Sequence, residues 1–386
     1  LSQCSCIRSQ LNEIMTESSS TRYKTARSIR IACGLLFILF SVCYLCFQSP
    51  LLEMLQKVLS EGQTTYSPQW GTWIITLILC LLQWGISAWM RLPERWHALT
   101  YIPSFLLLSF VTDVHKDIYE AVTLGRWIWL LPLSLLLFWL LSWGVRRLEI
   151  LLGDYRNQKG WSTLMPNLLT MYLLSVGCVS LGNTDELFHN EAAADAALLH
   201  GDYQKVMEIG AGSGRTSREL TVMRVYALSR MDSLPDRLFD YPLHDGTRGL
   251  LLDAGVATTW LRTDSLYAYL GGTPRQGESI TGYLRRLCYT DTGNHPVLDY
   301  YLCALLLRKE LEVFVKELDY FCYVEEGLPK AYAEALYLYY RQHPSLTPPY
   351  DFADLEQAYE HYRKASPEDR RHYWYYYDHT IIRYEK

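Results

Sequence analysis

Five stretches in the first half of the chain contain no Asp, Glu, Lys or Arg, and they limit the fold more than any other feature. They are residues 31–52, 62–90, 96–112, 127–145 and 160–184. A helix that crosses a bilayer needs ~20 mostly apolar residues, because each residue rises ~1.5 Å through a hydrocarbon core of ~30 Å. In lipid the backbone must bond internally, so such sequences fold as helices. We therefore expect a transmembrane bundle of about five helices, near residues 31–50, 71–90, 97–112, 127–145 and 163–182.

The third stretch, residues 96–112, is the shortest and carries Pro103 near its start. Its length is also typical of a buried or re-entrant helix, which is the alternative to a full crossing. Whether this stretch crosses the membrane decides on which side of the membrane the second half lies. An even number of crossings would return the chain to the side of its N-terminus.

Lys and Arg in the short loops predict the orientation, because cytoplasmic loops are enriched in both. With the N-terminus inside and five crossings, the cytoplasmic segments hold ten of them and the outside loops hold three. The inside set is Arg22, Lys24, Arg27, Arg30, Arg91, Arg95, Arg146, Arg147, Arg156 and Lys159, and the outside set is Lys57, Lys116 and Arg126. This distribution predicts a cytoplasmic N-terminus and a second half on the outside, which for a bacterial inner membrane is the periplasm.

The second half differs from the first in charge. Residues 1–182 carry 14 Lys and Arg against 10 Asp and Glu, whereas residues 183–386 carry 22 against 31. The net charges are +4 and −9, and the acidic half speaks against nucleic acid as a partner. We predict an all-α chain with a transmembrane domain over residues 29–182 and a soluble domain over residues 183–386.

Helix pairs with small residues at their crossings recur along the second half. The pairs begin near residues 191, 221, 295 and 330, and the interval from Ala304 to Ala335 is 31 residues. Tetratricopeptide (TPR) repeats have a period of about 34 residues, which favours a TPR-like domain. An irregular helical bundle is the alternative. Residues 245–277 are glycine-rich and poorly periodic, so we expect an irregular loop there.

The N-terminus and the cysteines add little to this framework. Residues 1–28 are predicted to be a disordered, basic segment, with Met15 as the natural start. Cys288, Cys303 and Cys322 lie in the soluble half without CxxC spacing, so their pairing stays open. His and Cys residues show no metal-ligand spacing, and we predict no metal site.

One glycine-rich motif matches the cofactor loop of S-adenosylmethionine-dependent methyltransferases. Glu208, Gly210, Gly212 and Gly214 would hold the cofactor, and Asp232 would meet its ribose. That fold requires a strand before the loop and parallel strands after it, whereas this sequence predicts helices on both sides. We therefore interpret the motif as a helix-ending loop, with no catalytic and no cofactor-binding residues, and keep a methyltransferase as an alternative function.

A small-solute transporter is the other alternative. Charged residues inside a membrane usually mark the path of an ion or substrate, and the five apolar stretches contain none. The loop that begins at Asp113 could line an external vestibule. The aromatic segment at residues 370–377 is expected to pack against the preceding helices, with a binding patch as its alternative.

Four segments of the second half resemble an uncharacterised family of bacterial polytopic inner-membrane proteins with a C-terminal TPR-like domain. These segments are residues 183–188, 201–203, 235–242 and 263–270. The resemblance implies membrane segments followed by helical repeats, and it implies no activity. Stacked helix pairs present a concave surface, and acidic, Tyr-rich surfaces suit basic or amphipathic segments. We therefore expect a non-catalytic scaffold that is held in the lipid bilayer and binds a protein or peptide at the cell envelope, with no cofactor.

Overall fold

The computed structural model describes residues 26–119, 124–152, 160–252, 261–290, 292–322, 327–364 and 371–380. Within these ranges the secondary structure is helical and includes no β-strand, which confirms the predicted all-α class. The described residues form two compact units that divide between Asp185 and Glu186. Each unit has its own hydrophobic core.

The first unit is built from six α-helices and two 3₁₀ helices within the described ranges. The α-helices are α1 (Ala26–Phe47), α2 (Ser49–Leu59), α3 (Pro68–Met90), α4 (Ile102–Thr112), α5 (Trp127–Leu152) and α6 (Gly160–Leu181), and the 3₁₀ helices are Glu94–Tyr101 and Lys116–Tyr119. Residues 26–28, which we predicted to be disordered, belong to α1. Residues 1–25 lie outside the described ranges.

Four helical segments of the first unit are long and apolar enough to cross a membrane. They are Ala26–Phe47, Pro68–Met90, Trp127–Leu148 and Thr163–Leu181. Their large apolar side chains face outward, as Trp129 at 80% exposure and Leu39 at 63% illustrate. A water-soluble core would bury such side chains, so this surface is compatible with a membrane protein.

The predicted third span differs from the other four in its backbone. Residues 94–101 are a 3₁₀ helix with a non-helical kink at Trp96, and the α-helix α4 is only 11 residues long. Alone, α4 rises about 16 Å, which is half of a hydrocarbon core. Pro103 lies within the first two positions of α4, where its missing N–H leaves no broken helical hydrogen bond.

Contacts at both ends show how far this broken segment extends along α6. At one end, the Asn167 side chain accepts a hydrogen bond from the Ala98 N–H at 2.8 Å. At the other end, Arg126 donates both to Asp113 and to the carbonyl of Leu181. The distance from Asn167 to Leu181 along α6 is about 21 Å. Residues 98–113 therefore run beside α6 over most of its length, and both segments point the same way.

The remaining contacts fix the direction of the other helices in this bundle. Tyr44 of α1 bonds Thr112 of α4 at 3.2 Å, so α1 ends where α4 and α6 end. Arg146 of α5 donates to the Met90 carbonyl of α3, so α3 and α5 both end at the opposite side. The first unit thus contains five segments in alternating directions. We call the side of Asp113 and Leu181 the junction end.

A polar cluster closes the junction end. The side chain of Asp113 is only 2% exposed. It accepts two hydrogen bonds from Arg126 at 2.7 and 2.9 Å and one from the Trp127 indole at 2.6 Å, and His115 lies 3.0 Å away. Asn183 adds a second link. Its side-chain amide donates to the Val114 carbonyl, and its backbone carbonyl accepts from the Gln48 side chain. The loop that begins at Asp113 is therefore packed at its first residue.

The second unit consists of short helices that pack on their neighbours in sequence. They are α7 (Glu186–Leu199), α8 (Tyr203–Glu208), α9 (Arg218–Arg230), α10 (Leu234–Arg237), α11 (Thr263–Leu270), α12 (Ile280–Tyr289), α13 (Val297–Leu307), α14 (Leu311–Phe321), α15 (Lys330–Gln342), α16 (Ala353–Lys364) and α17 (Tyr373–His379), with 3₁₀ turns at Leu238–Asp240 and Gly246–Gly249. Helix α13, in which nine of 11 residues are buried, lies at the centre and packs on α10, α12 and α14.

The predicted helix pairs of the second unit correspond to observed helices, and one predicted loop does not. The alanine-rich helix ends before Gly201, whose φ of +70° suits glycine, and α8 follows. The pairs α9–α10 and α13–α14 begin within four residues of their predicted positions. However, residues 245–277 are not simply a loop, because they contain α11; residues 253–260 of this stretch lie outside the described ranges. Gly271, with a φ of +104°, ends α11.

Candidate partner-binding surface

Helices α12 and α14 together expose large apolar side chains in the second unit. Tyr289 is 47% exposed, Val313 is 40% exposed and Tyr320 is 69% exposed. Val313 and Tyr320 are seven residues apart on one face of α14, with the buried Glu317 between them, whereas Leu311, Phe314 and Leu318 form the buried apolar face. We call the face formed by Arg285, Tyr289, Val313, Glu317 and Tyr320 the α12–α14 surface.

Aromatic rings give this surface a fixed shape. The rings of Tyr289 and Tyr320 stack with centroids 5.6 Å apart and an interplanar angle of 19°. Phe321 meets both rings edge-on, at 5.3 Å from Tyr289 and 4.8 Å from Tyr320. Offset stacks and edge-to-face pairs are the favoured aromatic geometries. The rings are therefore held in place before any partner arrives.

Glu317 organises the polar side of the surface. Its carboxylate is nearly buried; it accepts a hydrogen bond from the Tyr289 hydroxyl at 2.8 Å and lies 3.4 Å from the Arg285 guanidinium. The hydrogen bond to this carboxylate raises the pKa of the Tyr289 phenol, so the neutral, donating form is favoured. Arg285 also lies over the Tyr289 ring at 5.2 Å. One carboxylate thus orients both an aromatic and a cationic side chain.

The start of α12 is fastened by a separate ion pair. Glu278 accepts two hydrogen bonds from Arg286 at 2.8 and 2.9 Å and a third from the Arg275 N–H at 2.8 Å. The bonds from Arg286 lower the pKa of Glu278 to about 2. Ser279 caps the helix by accepting from the Gly282 N–H. Both ends of α12 are therefore anchored, which keeps Tyr289 in position.

The glycine motif forms a loop between two helices. Helix α8 ends at Glu208, Gly210 has a φ of +63°, and α9 begins at Arg218. Asp232 follows the other end of α9, eight residues or about 12 Å along the helix beyond Arg224, which contacts the loop at Ile209. No strand precedes the loop in the described part of the chain.

A small cleft lies beside α9, on the side of Arg224. Its internal volume is about 10 Å³, and it is lined in part by Thr221, Tyr241 and Leu243. Pockets for drug-sized ligands enclose about 300–1,000 Å³. Arg224 is buried, donates to the Ile209 carbonyl at 2.7 Å and lies 4.9 Å from the Tyr241 ring. These contacts give Arg224 a structural role in holding the glycine loop against α9.

The C-terminal aromatic segment packs inward, as we predicted. Trp374 is 1% exposed and Tyr373 is fully buried. Glu334 accepts from the Tyr373 N–H at 2.7 Å and from His372 at 2.6 Å. Among the described residues, no three His, Cys, Asp or Glu side chains are grouped as metal ligands, and Cys288, Cys303 and Cys322 are free thiols.

The residues of the α12–α14 surface can be identified one by one in the sequence, but the contact between the two helices cannot. Tyr289 and Glu317 are 28 residues apart, and their contact depends on how α12 and α14 pack against α13. The only sequence signal is the position of Tyr320 on a helical projection of α14. There it falls outside the face formed by Leu311, Phe314 and Leu318.

Comparison with known proteins gives one family match. A model described as a family of unknown function (DUF6057) matches residues 31–273 and 275–380. No curated protein and no solved structure matches the chain. The family match spans both units and includes the α12–α14 surface.

Proposed function

This chain belongs to the DUF6057 family of unknown function, and from that premise we propose that it is a non-catalytic, membrane-anchored scaffold that binds a protein or peptide partner at the cell envelope. The observation that carries the proposal is the α12–α14 surface in a unit that follows an apolar helical bundle. Tyr and Arg are the residue types that dominate binding energy in protein interfaces.

The pre-organised geometry of the surface supports a binding role. Ordering flexible side chains at an interface costs about 0.5–1.5 kcal/mol for each side chain. Here the Tyr289 ring is already held by Glu317, Arg285 and Tyr320. Little of that ordering cost would remain for a partner. The consecutive helix pairs α9–α10 and α13–α14 are consistent with the TPR-like architecture that we propose for this unit.

The direction of the five segments supports a location for the surface. Residues 98–113 run beside α6 over most of its length, so we count the broken third segment as a crossing. Five crossings put the second unit on the side opposite to the N-terminus. Since ten Lys and Arg then lie on the N-terminal side against three on the other, we propose a bacterial inner-membrane protein with its second unit in the periplasm.

Reporter fusions test this topology. A phosphatase reporter, which is active only in the periplasm, is fused after Asn183 and after Lys386. A fluorescent reporter, which fluoresces in the cytoplasm but not after export in an unfolded state, is fused at the same sites. We expect phosphatase activity and no fluorescence at both sites. Fluorescence at both sites would mean that residues 98–113 do not cross.

Site-specific photocrosslinking tests the scaffold itself. A photoreactive phenylalanine analogue replaces Tyr320 or Val313 in cells that produce the full chain, and Leu346, which is 45% exposed in the same unit, is the matched control position. We expect the same discrete adduct at both positions of the α12–α14 surface and its loss at position 346. Equal labelling at all three positions, or no adduct at positions 313 and 320, would contradict the proposal. Mass spectrometry of the adduct identifies the partner.

A further inference from the structure

We propose that the partner presents an arginine or lysine side chain to the exposed ring of Tyr320. This inference rests on the proposed scaffold function and specifies the chemistry of its partner. It depends on how the other tyrosines of the second unit are covered, on the exposure of Tyr320 and on the charge around it.

Within the described ranges, eight tyrosine rings of the second unit carry a cation from this chain. Arg230 lies over Tyr203 at 5.6 Å and over Tyr269 at 5.5 Å. Arg341 lies 4.4 Å from the Tyr359 ring. The same contact is made by Arg224 on Tyr241, by Arg285 on Tyr289, by Arg286 on Tyr283 and by Lys309 on Tyr376 and Tyr377. Cation–π pairing therefore recurs among the tyrosines of this unit.

Tyr320 differs from these eight tyrosines. It is 69% exposed, more than any other large apolar or aromatic residue described in the second unit. One of its faces stacks on Tyr289, and Phe321 meets its edge. Among the described residues no Arg or Lys lies over the ring. The free face of Tyr320 is therefore an unfilled cation site next to a filled one, since Arg285 already occupies Tyr289.

The charges around Tyr320 favour a cation over an anion. Helix α14 carries Glu312, Glu317 and Asp319 against the single cation Lys316; Lys316 pairs with Glu312 at 2.9 Å, and Arg285 of α12 lies 3.4 Å from Glu317. Residues 183–386 as a whole carry a net charge of −9. An approaching Arg or Lys would gain from the ring quadrupole and from the negative charge of this unit, whereas a carboxylate would be repelled.

Peptide binding to the full chain in detergent micelles tests this inference. The probes are a fluorescent amphipathic 20-residue peptide with Arg on its polar face and two variants of it, one with citrulline and one with Glu in place of Arg. Citrulline keeps the shape of the side chain and removes its charge. The measurement is fluorescence anisotropy at two salt concentrations, on the wild-type chain and on Tyr320→Ala, Tyr320→Phe and the control Leu346→Ala.

We expect the Arg peptide to bind, and the citrulline and Glu peptides to bind at least about tenfold more weakly. Tyr320→Ala should weaken the Arg peptide about fivefold or more, while Tyr320→Phe, which keeps the ring, and Leu346→Ala should change it less than about twofold. Equal binding of the Arg and citrulline peptides, or an unchanged affinity in Tyr320→Ala, would overturn the inference. A crosslinked adduct at position 320 together with no Arg-peptide binding would leave the scaffold in place and reject the cationic partner.

Discussion

Replacing Trp374 by alanine is expected to lower the free energy of unfolding of the second unit by about 3–5 kcal/mol, the range for truncating a large buried aromatic side chain. The indole is 1% exposed and stacks on His372 with centroids 5.2 Å apart. It meets Tyr359 edge-on at 5.0 Å, and its N–H donates to the Glu334 carbonyl at 2.9 Å. Alanine removes these contacts and leaves a cavity between α15, α16 and α17.

Urea unfolding of the full chain in mild detergent, followed by circular dichroism, measures this loss. Tyr320→Ala is the matched control, because it also removes an aromatic ring but from a side chain that is 69% exposed. We expect the control to change the free energy of unfolding by less than about 1 kcal/mol. If Trp374→Ala behaves like Tyr320→Ala, then α17 does not dock on α15 as described.

Replacing Asp113 by alanine is expected to lower the free energy of unfolding of the first unit by about 2–4 kcal/mol. The Asp113 carboxylate accepts hydrogen bonds from the Arg126 guanidinium and from the Trp127 indole N–H at the N-terminal end of α5. Without it, the buried Trp127 N–H loses its acceptor. Arg126 is half-exposed and can recover water, so the loss stays below that of a fully buried ion pair.

Unfolding of the full chain in micelles by a denaturing detergent measures the decrease in free energy of unfolding caused by Asp113→Ala. Glu312→Ala is the matched control, because it removes a carboxylate from an ion pair in which both side chains are 71% exposed. Such pairs contribute about 0–1 kcal/mol. A loss in Asp113→Ala no larger than in Glu312→Ala would show that the junction end is not held by this cluster.

Much of the fold follows from local sequence signals. Charge-free stretches predicted the long helices, and the helix pairs expected near residues 221 and 295 correspond to α9–α10 and α13–α14. The division of the first apolar stretch into α1 and α2 was missed, although Pro50 within the first two positions of α2 is a common mark of a helix start. The helix α11 was missed because the glycines around it suggested a loop, whereas Gly271 is its C-terminal cap.

The polar links between distant residues could not be predicted in the same way. Asp113 and Arg126 are 13 residues apart, and Asn167 meets Ala98 across 69 residues. These contacts depend on the register between helices, which a single sequence does not encode in any local pattern. The α12–α14 surface has the same origin, since Tyr289 and Glu317 meet only after both helices pack on α13.

The outward-facing tryptophans of α3 and α5 have a consequence for a membrane around this protein. Trp70 and Trp89 are 72% and 77% exposed and lie about 28 Å apart along α3, and Trp129 and Trp143 lie about 21 Å apart along α5. Indole rings settle at the level of the lipid head groups. The spacing along α3 therefore matches the average hydrocarbon thickness of about 30 Å, whereas the spacing along α5 matches a thinner layer. In a bilayer of average thickness, the lipids around α5 would compress locally, so the acyl-chain length of the host membrane becomes a determinant of the stability of this protein.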